Sequence, residues 1–219
     1  MRASVLATAG VSTSLAVLGA APAEAATMYT CPLVSAAPCS SPLSGTRVGD
    51  VASTSDGYSF NLSGNGDPGY VQVDNSKQIN TTKFPFTFSA QVKGVGVPST
   101  AVGDYDVVRG TPAGNWKLEV VAKNNRTTAQ AACFFKGATS KKTVSGGPDL
   151  TTLQSKWTTI SCTNTGSAVE LRVNGVLEKK VTVSTGTIPN PGPLLIGAKD
   201  TEGGDQFSGY AKDVQINVP

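Results

Sequence analysis

From about Asp56 onward the chain alternates apolar and polar residues with a period of two, the signature of half-buried β-strands. One run is unbroken. Phe84, Phe86, Phe88, Ala90 and Val92 fall on one face, and Thr87, Ser89, Gln91 and Lys93 on the other. Pro85 lacks an N–H for a ladder, so this strand starts there or lies at an edge. Shorter runs cover Tyr58 to Leu62, Gly69 to Val73, Val107 to Arg109, Ala131 to Phe135 and Trp157 to Cys162. Trp116, Leu118 and Val120 alternate with Lys117 and Glu119. Val169, Leu171 and Val173 lead into Asn174-Gly175, a type I′ hairpin signal, and Val176 to Val183 returns. Pro193 to Ile196 and Phe207 to Val218 complete the set. Short strands separated by Gly, Pro and Asn turns, with no sustained 3.6-residue period, predict an all-β sandwich or barrel. Internal repeats are not evident.

The N-terminal part reads differently. Arg2, a diluted apolar stretch from Val5 to Ala20 and Ala23-Glu24-Ala25 match a secretory signal with its A-x-A cleavage site, so residues 1–25 are expected to be removed. The apolar stretch is too short and diluted for a membrane span. A soluble, secreted, extracellular protein is expected, with no membrane insertion. Residues 26–55 carry Pro and Ser clusters and read as a loop-rich lead-in, and residues 56–219 as the β-domain.

Composition narrows the chemistry. Charged residues make up 15% of 219, the net charge is +3, and no basic run exceeds two residues, which argues against nucleic acid as a partner. There is no histidine, so His-based triads, metal sites and imidazole acid–base chemistry are excluded. The four cysteines, Cys31, Cys39, Cys133 and Cys162, all follow the cleavage site. An even number in an exported chain implies disulfides, and three pairings are open. A Cys31–Cys39 bond would close a small loop through Pro32 and Pro38. A Cys133–Cys162 bond would join two strands, if those strands pair. These two bonds are the pairings expected.

The order of motifs resembles the laminin G-like, concanavalin A-like domains. Phe86-Thr87-Phe88-Ser89-Ala90-Gln91-Val92-Lys93 is similar to their "FT-SAWVK" strand, Val107-Val108-Arg109-Gly110 to the "IVSRG" strand that follows, and Trp116 with Leu118 to the "WYLEL"-like strand. Trp157-Thr158-Thr159-Ile160, Leu171-Arg172-Val173-Asn174-Gly175 and Pro193-Leu194-Leu195-Ile196-Gly197 resemble "WHHVAV", "LYVNG" and "PLYIG". Phe207-Ser208-Gly209, with Val214 and Ile216, resembles the closing strand. Cys133 and Cys162, flanking the Trp-led strand, are similar to those of exported actinobacterial members. The chain departs from the pattern at Thr158 and Thr159, where the family strand has histidines, and at Lys212, where the closing strand has Asp. The resemblance implies a jelly roll of two antiparallel sheets, one concave, used by lectins, adhesion modules and enzyme appendages. It also implies, for many members, one Ca²⁺ at a loop rim.

Glycosidases of this fold carry paired carboxylates on one strand, and no E-x-D-x-E string exists here. Asp104 and Asp106, flanking Tyr105, form the best carboxylate pair, while Glu119 and Glu170 stand alone on their strands. Tyr105 with Arg109 is the one lyase-like pair. No catalytic residues are expected, and the chain is read as non-enzymatic. For calcium, Asp200, Glu202 and Asp205 crowd one loop and Asp67 sits in a Gly-rich turn. For a sugar ligand, Trp116, Tyr105 and Tyr210 are the aromatic candidates, with Trp157 assigned to the scaffold on the family pattern. The expected partner is an extracellular polysaccharide or a cell-surface protein. Polysaccharide lyase or glycanase activity is the remaining alternative.

Overall fold

The computed structural model describes residues 26–61, 68–74, 76–79, 82–111, 114–189 and 192–219. In chain order its strands are β1 Thr27–Cys31, β2 Ser44–Gly49, β3 Val51–Thr54, β4 Gly57–Phe60, β5 Gly69–Asp74, β6 Phe86–Lys93, β7 Asp104–Gly110, β8 Trp116–Lys123, β9 Thr128–Lys136, β10 Lys141–Gly146, β11 Thr158–Asn164, β12 Ala168–Val173, β13 Val176–Thr182, β14 Leu194–Ile196 and β15 Gly209–Val218. Among the described residues they form two antiparallel sheets. An eight-stranded sheet runs β13-β12-β11-β6-β15-β4-β3, with β1 added beside β15, and a seven-stranded sheet runs β10-β9-β8-β7-β14-β5-β2. The all-β sandwich expected from the alternation is the fold observed. No described helix is long and apolar enough to cross a membrane.

The alternation decides which faces meet. Phe86, Phe88, Ala90 and Val92 of β6 are buried, and Trp116, Leu118 and Val120 of β8 face them from the other sheet. Phe88 packs tilted on Trp116 with ring centroids 4.7 Å apart, and Phe86 meets the same indole edge-on at 5.2 Å. Such aromatic pairs contribute about 0.5–1.5 kcal/mol each beyond the area they bury. Asn174 and Gly175 both take positive φ, as the I′ hairpin between β12 and β13 requires. Pro85 precedes β6, which lies between β11 and β15, so it marks a strand start and not an edge.

Two expectations are corrected. Residues 26–55 are not mainly loop. They hold β1, β2 and β3, which join both sheets, and they bury Cys31, Leu33 and Leu43 in the common core. Cys133 and Cys162 are bonded, as are Cys31 and Cys39, but β9 and β11 do not pair with each other. They belong to different sheets, so the Cys133–Cys162 bond crosses the core and ties sheet to sheet.

Candidate functional site

The register of the seven-stranded sheet fixes what its outer face presents. Thr46, Gln72, Leu195, Arg109, Lys117, Phe134 and Thr143 pair in turn, from β2 through β5, β14, β7, β8 and β9 to β10. They form one rung across the sheet at about 4.8 Å per strand. A second rung holds Asp106, Glu119, Ala132 and Ser145. A β-bulge makes this possible. Val107 and Val108 together oppose Leu118, both of them buried, so the register shifts between Asp106 and Val108. In a regular strand Asp106 and Arg109 would face opposite ways; the extra residue puts both on the outer face.

The two rungs carry a charge cluster. Arg109 Nη1 donates to Asp106 Oδ2 at 2.6 Å. Lys117 Nζ lies 3.2 Å from Asp106 Oδ1 and 3.5 Å from Asp104 Oδ2, contacts Glu119 Oε1, and sits over the Phe134 ring. The Asp106 side chain is fully buried and that of Glu119 is 5% exposed. Burial pushes Glu119 up to about 8, outweighing the pull of Lys117, and a hydrogen bond with Asp104 adds to the rise. Burial also raises Asp106 against the pull of Lys117 and Arg109. Burial would lower Lys117, but Asp106, Glu119 and Asp104 together hold it above its ordinary value.

The sign of the resulting pH dependence follows by linkage. Between about pH 4.5, the ordinary value for Glu, and about 8, folded Glu119 keeps a proton that the unfolded chain has lost. Its stabilising contribution is complete below that window and is lost as pH climbs through it, with a slope of at most ~1.4 kcal/mol per pH unit. Asp106 acts with the same sign. Glu170 and Asp149, held low by hydrogen bonds, act with the opposite sign but only below about pH 4.5. Urea unfolding across pH 5–8 is therefore expected to show falling stability, and Glu119→Gln is expected to flatten most of the slope. An equal slope in the variant would remove Glu119 as its source.

Two hollows meet at Gln72 and Pro193 on the same face. One, of about 480 Å³, is lined by Gln72, Asp74, Ser76, Lys77, Gln78 and Pro193. The other, of about 210 Å³, shares Gln72 and Pro193 and adds Thr111, Leu195, Lys199 and Asp200 among its walls. Gln206 holds the nearby loop in place. Its Nε2 donates to the carbonyls of Gly69, Gly197 and Phe207, and its Oε1 accepts from Gly69 N.

The residues singled out in the sequence do not gather in one place. Trp116 is completely buried against Phe86 and Phe88, so it is a core residue and offers no platform to a ligand. Tyr105 points inward and meets Phe207 edge-on at 6.0 Å, on the opposite side of β7 from Asp104 and Asp106. Tyr210 is half-buried on the outer face of the other sheet, with Lys93 Nζ 5.1 Å from its ring centroid. The loop carboxylates are engaged locally. Asp200 Oδ1 accepts from Gly204 N, Glu202 Oε1 accepts from Thr201 Oγ1, and Asp205 pairs with Lys199. Asp67 lies outside the described residues.

Among the described residues, the three-carboxylate group whose oxygens converge within 4.8 Å is Asp104, Asp106 and Glu119, not the loop set. Lys117 supplies the cation of that group, so these residues do not fit a Ca²⁺ site. Glu119, alone on its strand in the sequence, stands opposite Asp106. The sequence reading missed Lys117 and Gln72. Their signal is their place on the polar side of alternating strands in a chain poor in charge.

The family model described as the concanavalin A-like lectin/glucanases superfamily matches residues 44–217. No curated protein matches the sequence. Among solved structures, the botulinum neurotoxin serotype G binding domain is 16% identical with a TM-score of 0.57, covering 81% of this chain and 44% of its own. The serotype D binding domain is 14% identical with a TM-score of 0.54, over 80% of this chain and 42% of its own. The present chain thus spans less than half the length of these toxin chains. A transglycosylase, Crh5, is 19% identical with a TM-score of 0.53, over 86% of this chain and 83% of its own. At these identities the likeness is one of fold. With the two-sheet topology and a match over most of its length, the chain belongs to the concanavalin A-like lectin/glucanases superfamily.

Proposed function

We propose that this chain is a secreted, non-catalytic binding module that recognises an extracellular polysaccharide along the outer face of the seven-stranded sheet. The observation that carries the reading is the pair of hollows meeting at Gln72 and Pro193, in line with the Gln72–Leu195–Arg109–Lys117 rung. Recessed sites with a few fixed amide, hydroxyl and charged groups around an apolar patch suit sugar hydroxyls and ring faces. Leu195, Pro193 and Gln72 supply that mixture. The signal-like residues 1–25 and the two disulfides support an exported protein.

A raised Glu119 beside Asp106 has the ingredients of acid–base chemistry. Yet Lys117 contacts both carboxyls, and both are withdrawn from solvent, so neither presents a free face to a glycosidic bond. This is the ground for the non-catalytic reading.

The test is retention of the disulfide-intact protein on a panel of insoluble polysaccharides and cell walls, with Ca²⁺ and with chelator. Selective retention that is insensitive to chelator is expected. Gln72→Ala is expected to weaken it about tenfold, the equivalent of about one hydrogen bond to the ligand. No retention on any glycan would sink the polysaccharide reading and point to a protein partner. New reducing or unsaturated ends in a soluble polysaccharide would make it an enzyme.

A further inference from the structure

The outer face of the eight-stranded sheet holds a second, differently built group of side chains. Trp157 lies just before β11, and the edge of its indole that carries Cη2 and Cζ2 approaches the β3–β4 turn. A Cβ on Gly57 would come within 2.9 Å of Trp157 Cη2, so the turn needs glycine there to accept the ring. Trp157 Nε1 donates to Asp56, 3.1 and 3.0 Å from its two oxygens. Lys93 Nζ sits 4.7 Å and Lys212 Nζ 4.3 Å from the indole centroid, and Lys93 also lies over Tyr210. Both ammoniums reach the same carboxylate, Lys93 at 2.8 Å and Lys212 at 3.1 Å.

The charges do not balance. Asp56 is one anion for two cations, and the hydrogen bonds from Lys93, Trp157 and Lys212 hold it ionised, well below the usual carboxylate range. Pinning the turn to the sheet needs one lysine. The second leaves a surplus positive charge against two aromatic rings, at side chains about one-fifth exposed. From this end the same face continues along β6 as neutral polar rows. Gln91 pairs with Thr159, Ser89 with Ser161 and Gln215, and Thr87 with Thr163 and Asn217. No acidic residue occupies these positions on β6, β11 and β15; on the next strand Glu170 stands opposite Thr163, its charge met by Arg172 and Lys180. The face therefore offers ring surface and ammoniums at one end, then amides and hydroxyls in register.

We propose that this face is a second binding site, specific for an acidic polysaccharide, with Trp157 and Tyr210 packing on sugar rings and Lys93 and Lys212 holding the sugar's anionic group. It is separate from the hollows of the seven-stranded sheet and goes beyond the reading given for them. The charge complementarity selects an anionic chain over a neutral one. The rows of hydroxyls and amides, in place of an apolar patch, select a sugar polymer over a protein surface.

The test is titration of the intact protein with polygalacturonate, dextran sulfate, neutral dextran and polyglutamate, at about 50 and 300 mM salt. Either acidic polysaccharide is expected to bind and neutral dextran not, with affinity falling about tenfold or more at the higher salt as exposed charges are screened. The tighter of the two acidic polymers identifies the anion, carboxylate or sulfate. Lys93→Gln/Lys212→Gln is expected to lose at least tenfold. Lys141→Gln/Lys142→Gln, which removes the same charge from β10 of the other sheet, is expected to bind as the parent does. Retention on insoluble neutral glycan is expected to persist in the Lys93/Lys212 variant, which keeps the two sites distinguishable. Thermal unfolding of both variants controls for folding. Equal binding of polyglutamate would reduce the site to a non-selective anion exchanger and overturn the proposal, as would equal losses in the two double variants.

Discussion

Cys133→Ala/Cys162→Ala is expected to unfold with about 3–4 kcal/mol less stability than the parent. The bridged residues are 29 apart in sequence, and the loop between them contains β10 and the 3₁₀ turn Leu150–Leu153. In the chain-entropy account the cross-link acts on the unfolded chain, removing the freedom of a loop of about 30 residues. Native domains have only about 5–15 kcal/mol in hand. Losing the bond therefore takes a sizeable share. Urea unfolding of parent and variant measures it. The denaturant slope should also rise in the variant, because the unfolded state expands once the tie is gone. The Cys31–Cys39 bond closes a loop of 8 positions and should matter less, by about 1 kcal/mol on the same formula. A double variant within about 1 kcal/mol of the parent would show that the bond restricts the unfolded chain far less than the chain-entropy account requires.

Lys117→Ala is expected to cost about 3 kcal/mol at pH 7.5. Removing one partner of a buried ion pair costs ~3–5 kcal/mol because the other charge is left uncompensated. The lower end applies, since Asp106 keeps Arg109 at 2.6 Å. Asp104 loses its cation outright, while Glu119, raised to about 8, still holds most of its proton at this pH. The deficit should shrink toward pH 5, where Glu119 and the raised Asp106 are more fully protonated and need no counter-charge. Lys117→Met combined with Glu119→Gln should recover part of the loss, because burying two neutral groups avoids the unpaired charge. Denaturation of the three proteins at the two pH values gives the comparison. A Lys117→Ala deficit independent of pH would mean that lost packing on Phe134, and not charge, sets the cost.

What was legible in the sequence divides along a physical line. β6, β8, β11 and β12 lie inside their sheets with one face on the core, so their alternation is strong. β1, β2, β3 and β10 were missed, and all four lie at sheet margins. In β2 no residue is buried, and in β10 only Val144 is, so neither writes a period-two pattern. β13 is an edge as well, but its Asn174-Gly175 turn gives it away. The site is harder to read than the fold, because it depends on which strands become neighbours. Nothing local in Asp104-Tyr105-Asp106 announces that Glu119 will stand opposite, or that a bulge at Val107–Val108 will bring Arg109 to the same face. The cysteine pairing was legible from position, yet its passage through the core between sheets was not, since sequence distance says nothing about sheet membership.

The pairing of β1 with β15 bears on how such a unit is mounted. Thr27 stands opposite Val218, so the two ends of the folded unit are antiparallel neighbours, about 5 Å apart. Both leave from one corner of the eight-stranded sheet. Tyr210 lies eight residues back along β15, about 27 Å away at strand rise. A body with adjacent ends can be spliced into a surface loop of a host chain, or permuted by joining its ends, without straining the junctions. Trp157 and its lysines gather around Tyr210, at the end of β15 away from Val218, so a splice at that corner would leave them uncovered.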